Sequence, residues 1–167
     1  MAASTPVIVG PRDGSFVDFG NLGVRFMVWG DDADRHFALV EHPIPPRTLA
    51  APLHRHERED EYSYVLEGRM GALLGGDDVV YGEPGDLIFK PRNQWHTFWN
   101  AGDAECRILE IISPGGFERF FAEMGEAFDS GGYGDPTVVG ARYGVEFDLD
   151  SIERICDEHG LRHQAPS

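Results

Sequence analysis

Eight short apolar stretches, at 24–29, 36–40, 62–66, 70–74, 79–81, 86–89, 96–99 and 107–112, constrain the fold of this chain most. Each is too short for an ordinary helix and is bounded by Gly, Pro, Asp or other turn formers. Turn signals such as Gly75-Gly76-Asp77-Asp78 and Glu83-Pro84-Gly85-Asp86 fall between them, the spacing expected of antiparallel sheets. Helix–strand alternation, a Gly-x-Gly-x-x-Gly run and a phosphate loop are all absent, so a parallel nucleotide-binding sheet is not expected. The chain is read as all-β, and a jelly-roll β-barrel, which leaves few strand edges open, is the natural architecture.

The pattern changes after residue 113. Phe117, Phe120, Phe121, Met124 and Phe128 recur at helical spacing and predict a helix with an aromatic stripe. That stripe is expected to pack on the outside of the barrel, or to serve as a partial lid over its mouth or as a dimer contact. A Gly/Asp/Pro-rich loop over 129–136 follows, then a short helix over 148–160, with Asp150 and Glu153 spaced as a capping box and Gly160 as its stop. Three parts result: 1–23 as an N-terminal arm or added strand, 24–113 as the barrel, and 114–167 as a helical C-terminal extension packed on it.

Length and composition fit one domain with a substantial core. The net charge of −15 would repel a phosphate-rich partner, and no basic stripe offsets it, so nucleic-acid binding is not expected. No run of eighteen apolar residues exists, which excludes a helical membrane span. The first six residues lack the basic region and apolar core of a secretory signal. Cys106 and Cys156 are isolated and expected to stay reduced, which together point to a cytoplasmic location.

Chemistry concentrates in two segments. Residues 52–68 contain His54 and His56, two apart and therefore on one face of a strand, with Glu61 opening the next apolar stretch. His96 lies in the segment 85–100. Imidazole nitrogen with carboxylate oxygen suits divalent transition metals, and the lack of a cysteine argues against a closed structural zinc site. His54, His56, Glu61 and His96 are the candidate ligands. By alternation, Ser63 and Val65 share the inward face with Glu61, and Gln94 and Phe98 that of His96, giving a mostly apolar substrate pocket. Tyr62, Tyr64, Trp95 and Trp99 point outward by the same count. Arg47 and Arg92 lie near the two segments, either as surface charge or within reach of an anionic substrate.

These two segments resemble the paired signature blocks of the cupin superfamily. In the first block His54, His56, Glu61 and Gly68 match in order and spacing, with Thr48 where a leading Gly is usual. In the second, Gly85, Pro91, His96 and Asn100 match, and Asn93 stands for the inner Gly, a mild change because Asn tolerates positive φ. The run 141–147 also looks like the tail of small bacterial quercetin-dioxygenase-like cupins.

The resemblance implies a cupin jelly roll holding one divalent transition metal (Fe, Mn, Ni, Co, Cu or Zn), with open coordination positions for a small-molecule substrate. It implies a dioxygenase acting on a small aromatic or enol-containing compound, with Glu61 also able to accept a proton. A metal-dependent isomerase, epimerase or lyase and a non-catalytic small-molecule binder are the alternatives. A homodimer is expected, both from the resemblance and from aromatic residues that need cover.

Overall fold

Residues 7–130 and 134–163 are described by a computed structural model. The six N-terminal residues tested above for a signal, and residues 131–133 of the expected 129–136 loop, lie outside them. Among the described residues, eleven strands form two antiparallel sheets. The strands are β1 (Phe16–Asp18), β2 (Gly23–Val28), β3 (Ala38–Ile44), β4 (Leu53–His56), β5 (Asp60–Glu67), β6 (Met70–Leu74), β7 (Asp78–Gly82), β8 (Leu87–Lys90), β9 (His96–Asn100), β10 (Cys106–Ser113) and β11 (Val145–Asp148). One sheet has the order β1-β2-β3-β10-β5-β8 and the other β11-β4-β9-β6-β7.

Strand alternation builds the interior. Along β10, Cys106, Ile108, Glu110 and Ile112 are buried while the residues between them are partly exposed. Cys106, Ile108 and Ile112 join Val24, Phe26, Val40, Ile44, Val65 and Ile88 in one core. Gly68 has φ 78 after β5, and a Cβ there would lie 2.7 Å from the Glu105 carbonyl, so this turn requires glycine. Asn93 has φ 63, the conformation its place in the second block demands. Before β4 the positive φ falls on Arg47 (φ 51) and not on Thr48, which explains why no glycine is needed at Thr48.

The C-terminal part departs from expectation in three ways. The helix α1 (Glu118–Asp129) matches the aromatic stripe, and Phe117, Phe120, Phe121 and Met124 line a cavity, which departs from plain packing on the outer wall and agrees with the covering role given as its alternative. Beyond it lie a second helix, α2 (Pro136–Tyr143), capped by Asp135 and stopped at Gly144, and the strand β11. β11 extends the smaller sheet beside β4, pairing Phe147 with His54. Single-strand patterning missed both elements because each is short and borrows its apolar cover from the body of the domain. The last helix, α3 (Ser151–His159), ends at Gly160 with φ 63 as expected, yet Asp150 makes no side-chain cap. Ser151 takes over locally, donating to the Asp148 carbonyl and accepting from the Leu53 amide.

α3 covers the outer face of the smaller sheet, where Leu49, Leu53, Leu73, Trp99 and Ile155 form a second core. Trp99 does point away from the main interior, as alternation requires, but is only 1% exposed beneath this helix. Tyr64 is exposed on the outer side of β5, and Tyr62 stacks there on Phe89 at 4.9 Å. Among the described residues no helix is long and apolar enough to cross a membrane. Cys106 and Cys156 are both free.

Candidate metal centre and its cavity

The four candidate ligands converge. His54 and His56 project inward from β4, His96 is the cross-strand partner of His54 on β9, and Glu61 faces them from β5 in the opposite sheet. One donor atom from each lies within 4.8 Å of all the others, and all four side chains are buried.

Their hydrogen bonds orient the rings toward a common point. His54 Nδ1 lies 2.8 Å from the Pro52 carbonyl, and His96 Nδ1 lies 3.1 Å from that of Gln94. A carbonyl only accepts, so Nδ1 carries the proton in both rings and Nε2 presents a lone pair. His56 Nδ1 is 3.6 Å from Glu59. His56 is fully buried, and neither ring nitrogen has a hydrogen-bond partner among the described residues.

Burial drives His54 well below the usual imidazole range and also lowers His96, against the pull of Glu61. Burial alone would raise Glu61, but the Lys90 ammonium, His56 and His96 outweigh it and hold the carboxyl well below its ordinary value. The ionised Glu61 carboxylate lies 3.2 Å from His96 Nε2 and 3.4 Å from His56 Nε2, so ring nitrogens and carboxylate oxygens meet at one point. A divalent metal fits this donor set, since it would satisfy the orphaned nitrogen of His56 and the facing lone pairs together.

Behind the cluster, the inner face of the larger sheet carries a band of polar side chains that sequence reading did not find. Lys90 is the cross-strand partner of Glu61 on β8 and lies 3.0 Å from both Glu61 and Glu110. These are ion-pair contacts off the hydrogen-bonding direction. Ser63 donates to Glu110 at 2.7 Å, and the Lys90 ammonium stands 4.7 Å over the Phe98 ring. Burial pushes Glu110 up to about 7 against the pull of Lys90. Lys90 is itself raised, because Glu110 and Glu61 outweigh its burial. His42, on β3, completes the band. The available signal was phase: Lys90, Glu110 and His42 each lie two residues from a buried apolar side chain of the same strand, Ile88, Ile108 and Val40.

A cavity of about 210 Å³ opens against the cluster. His54, Glu61 and Glu110 contribute polar wall, while Phe98, Phe117, Phe120, Phe121 and Phe147 supply rings. Phe117 meets His56 edge-on at 4.4 Å, so α1 begins directly over a ligand. The predicted pocket residues divide. Phe98 lines the cavity. Ser63 and Val65 point inward but lie behind its wall, Ser63 bonded to Glu110. Gln94 is exposed, because β9 begins only at His96 and alternation does not reach back through the preceding turn. Arg92 is engaged by Asp60 at 2.7 Å and Arg47 by Asp103 at 2.7 Å, both at the surface and away from the cavity walls.

Residues 41–112, the segment holding every one of these ligands, match the cupin domain family. The two antiparallel sheets have the cupin fold. Solved cupin-like structures agree in fold: KdgF from Halomonas sp. superposes with a TM-score of 0.60 at 17% identity, over 69% of this chain and 99% of that one. A predicted oxalate decarboxylase from Thermotoga maritima also gives 0.60, at 20% identity over 65% of this chain and 99% of that one. At these identities the likeness is one of fold. Among curated proteins, the tetracenomycin polyketide synthase protein TcmJ of Streptomyces glaucescens is 33% identical over 61 residues, 36% of this chain. The chain matches 40% of that relative's length.

Proposed function

We propose that this cupin holds one divalent transition metal through His54, His56, Glu61 and His96 and oxidises a small, flat substrate bearing a phenol or enol hydroxyl, with dioxygen as co-substrate. The observation that carries the reading is the meeting of the donor cluster with a ring-lined cavity: His54 and Glu61 are themselves cavity wall, opposite Phe117, Phe120 and Phe147. A ligand in that space contacts aromatic faces and the donor set at once, which suits a flat apolar molecule with one coordinating oxygen. The metal would supply a site that polarises the substrate oxygen and activates dioxygen.

The remaining work belongs to the chain. The three rings fix the ligand plane and exclude water, and Glu61 accepts the hydroxyl proton as the oxygen is engaged. Incorporation of both oxygen atoms into product balances the oxidation without another reductant. The likeness over 61 residues to a polyketide synthase protein supports a polyketide-like, enolisable substrate.

A second reading, non-oxidative isomerisation or cyclisation, is favoured by Glu110 and Lys90. Glu110 lines the cavity with its carboxyl raised to about 7, where it can exchange a proton with a ligand near neutral pH. Turnover of phenolic and 1,3-diketone candidates with and without oxygen decides between them. Loss of turnover under anaerobic conditions supports the oxidation, and an unchanged rate assigns the proton-transfer chemistry. No turnover with any metal rejects both.

A further inference from the structure

Most polar side chains on the cavity wall already have a partner. His54 and Glu61 belong to the donor cluster, Glu110 pairs with Lys90 and Ser63, and Asn21 donates to the carbonyls of Leu49 and Ala50. His42 belongs to none of these. It points inward from β3 in phase with Val40 and Ile44, opposite Ile108 of β10, and is 1% exposed.

Its Nδ1 lies 2.9 Å from the Gly23 carbonyl of β2, so that nitrogen carries the proton and Nε2 presents a lone pair. Burial lowers the ring to about 4, with Lys90 adding to the effect and the Gly23 carbonyl, Glu61 and Glu41 opposing it, so the imidazole is neutral near pH 7. Among the described residues Nε2 has no hydrogen-bond partner. The flanking side chains are Phe98 and Phe121, with centroids 6.2 and 5.5 Å away, and neither has a polar donor to offer. The ring nonetheless borders the cavity. Nε2 is not sealed off but keeps access to the cavity, so a ligand bearing a hydroxyl can supply the donor that the protein does not.

We propose that His42 Nε2 is a hydroxyl-recognition point of the cavity, accepting the O–H of a phenol or enol group other than the one engaged beside Glu61, on a ligand whose ring lies among Phe98, Phe121 and their neighbours. The inference deepens the proposed function and rests on its small aromatic substrate, but the recognition itself requires no metal. It makes His42 a specificity residue: a ligand lacking the hydroxyl would enter the same apolar space and leave Nε2 unpaired.

The test uses the full chain freed of metal by a chelator and two flat probes of matched size, 2-naphthol and 2-methylnaphthalene. Wild-type protein is expected to bind 2-naphthol at least about ten-fold more tightly, the scale of one buried neutral hydrogen bond. In His42→Phe the preference is expected to fall below about two-fold while 2-methylnaphthalene still binds. Nitrogen-15 spectra of the wild type give a readout that does not depend on the variant folding: 2-naphthol should shift the Nε2 resonance, and 2-methylnaphthalene should not. Equal affinities in the wild type, an undiminished preference in His42→Phe, the same Nε2 response to both probes, or no binding of either would overturn the proposal. Metal content is measured separately. A chain that binds no metal yet shows the His42-dependent preference would reject the metal reading and retain this one.

Discussion

The two sheets bring different chemistry to one cavity. The smaller sheet supplies three imidazoles, all from β4 and β9, and their placement follows from local spacing and one cross-strand pair. The larger sheet supplies charge: Glu61, Lys90 and Glu110 come from three neighbouring strands and meet only through long-range register. Burial lowers His54 and His96 below the usual imidazole range, whereas the charged band contains its own cation, Lys90. Ligand geometry is thus encoded nearly in one motif, while the electrostatic setting of that motif is distributed over the sheet.

The first way to break this comparison is to remove the imidazoles. His54→Ala with His96→Ala is expected to reduce metal from about one per chain to below a tenth of that by elemental analysis, since the remaining pair cannot close a site. Equal metal content in the two proteins would show that the smaller sheet is not the metal-holding half. The second concerns the charged band. Lys90→Met leaves Glu61 and Glu110 buried without their cation and should cost about 3–5 kcal/mol in denaturant unfolding of the metal-free protein. Adding Glu110→Gln to that variant should recover part of the loss; additive losses would mean that the two side chains are not coupled.

A smaller effect distinguishes His42 from the charged groups. Its folded value of about 4 lies below the ordinary 6.5, so its neutral form contributes stability that is present above pH 6.5 and lost as pH falls through about 4. The shift corresponds to roughly 3 kcal/mol at most. Metal-free His42→Phe should therefore lose less stability than wild type between pH 6.5 and 4. The opposite contribution of Glu110, whose raised carboxyl loses stability as pH rises toward about 7, is common to both proteins and cancels. Parallel pH profiles would contradict the assignment. The smallest effect is expected at the rim: Arg92→Gln removes an exposed pair with Asp60 and should change neither metal content nor the melting temperature measurably. A clear loss of metal would tie this surface pair to the centre.

Much of the site was legible before folding. His54, His56, Glu61 and His96 carry their own signature, and Asn93 announced its positive φ by standing where glycine is usual. Alternation placed Phe98 correctly but failed at Gln94, because a period of two holds only inside a strand and β9 starts at His96. The aromatic helix was visible in its spacing, but not its use. Phe117, Phe120 and Phe121 would look the same packed on an outer wall, and only the docking of α1 against His56 makes them cavity wall. The same result removes the stripe as a reason to expect a dimer; the exposed apolar side chains Tyr64, Leu87 and Phe89 lie elsewhere, on the outer face of β5 and β8.

By itself the sequence determined the class of fold, through short alternating strands and turn residues, and the identity of the four donors, through fixed short spacings. Tertiary structure decided everything that depends on which strand lies beside which. The pairing of β8, β5 and β10 set Lys90 between two carboxylates, β3 carried His42 to the cavity beside Gly23, and β11 extended the ligand sheet next to His54. Local spacing is fixed by backbone geometry within a few residues, and so can be read along the chain. Register between distant strands is set by the burial of both whole faces at once, which no single segment contains.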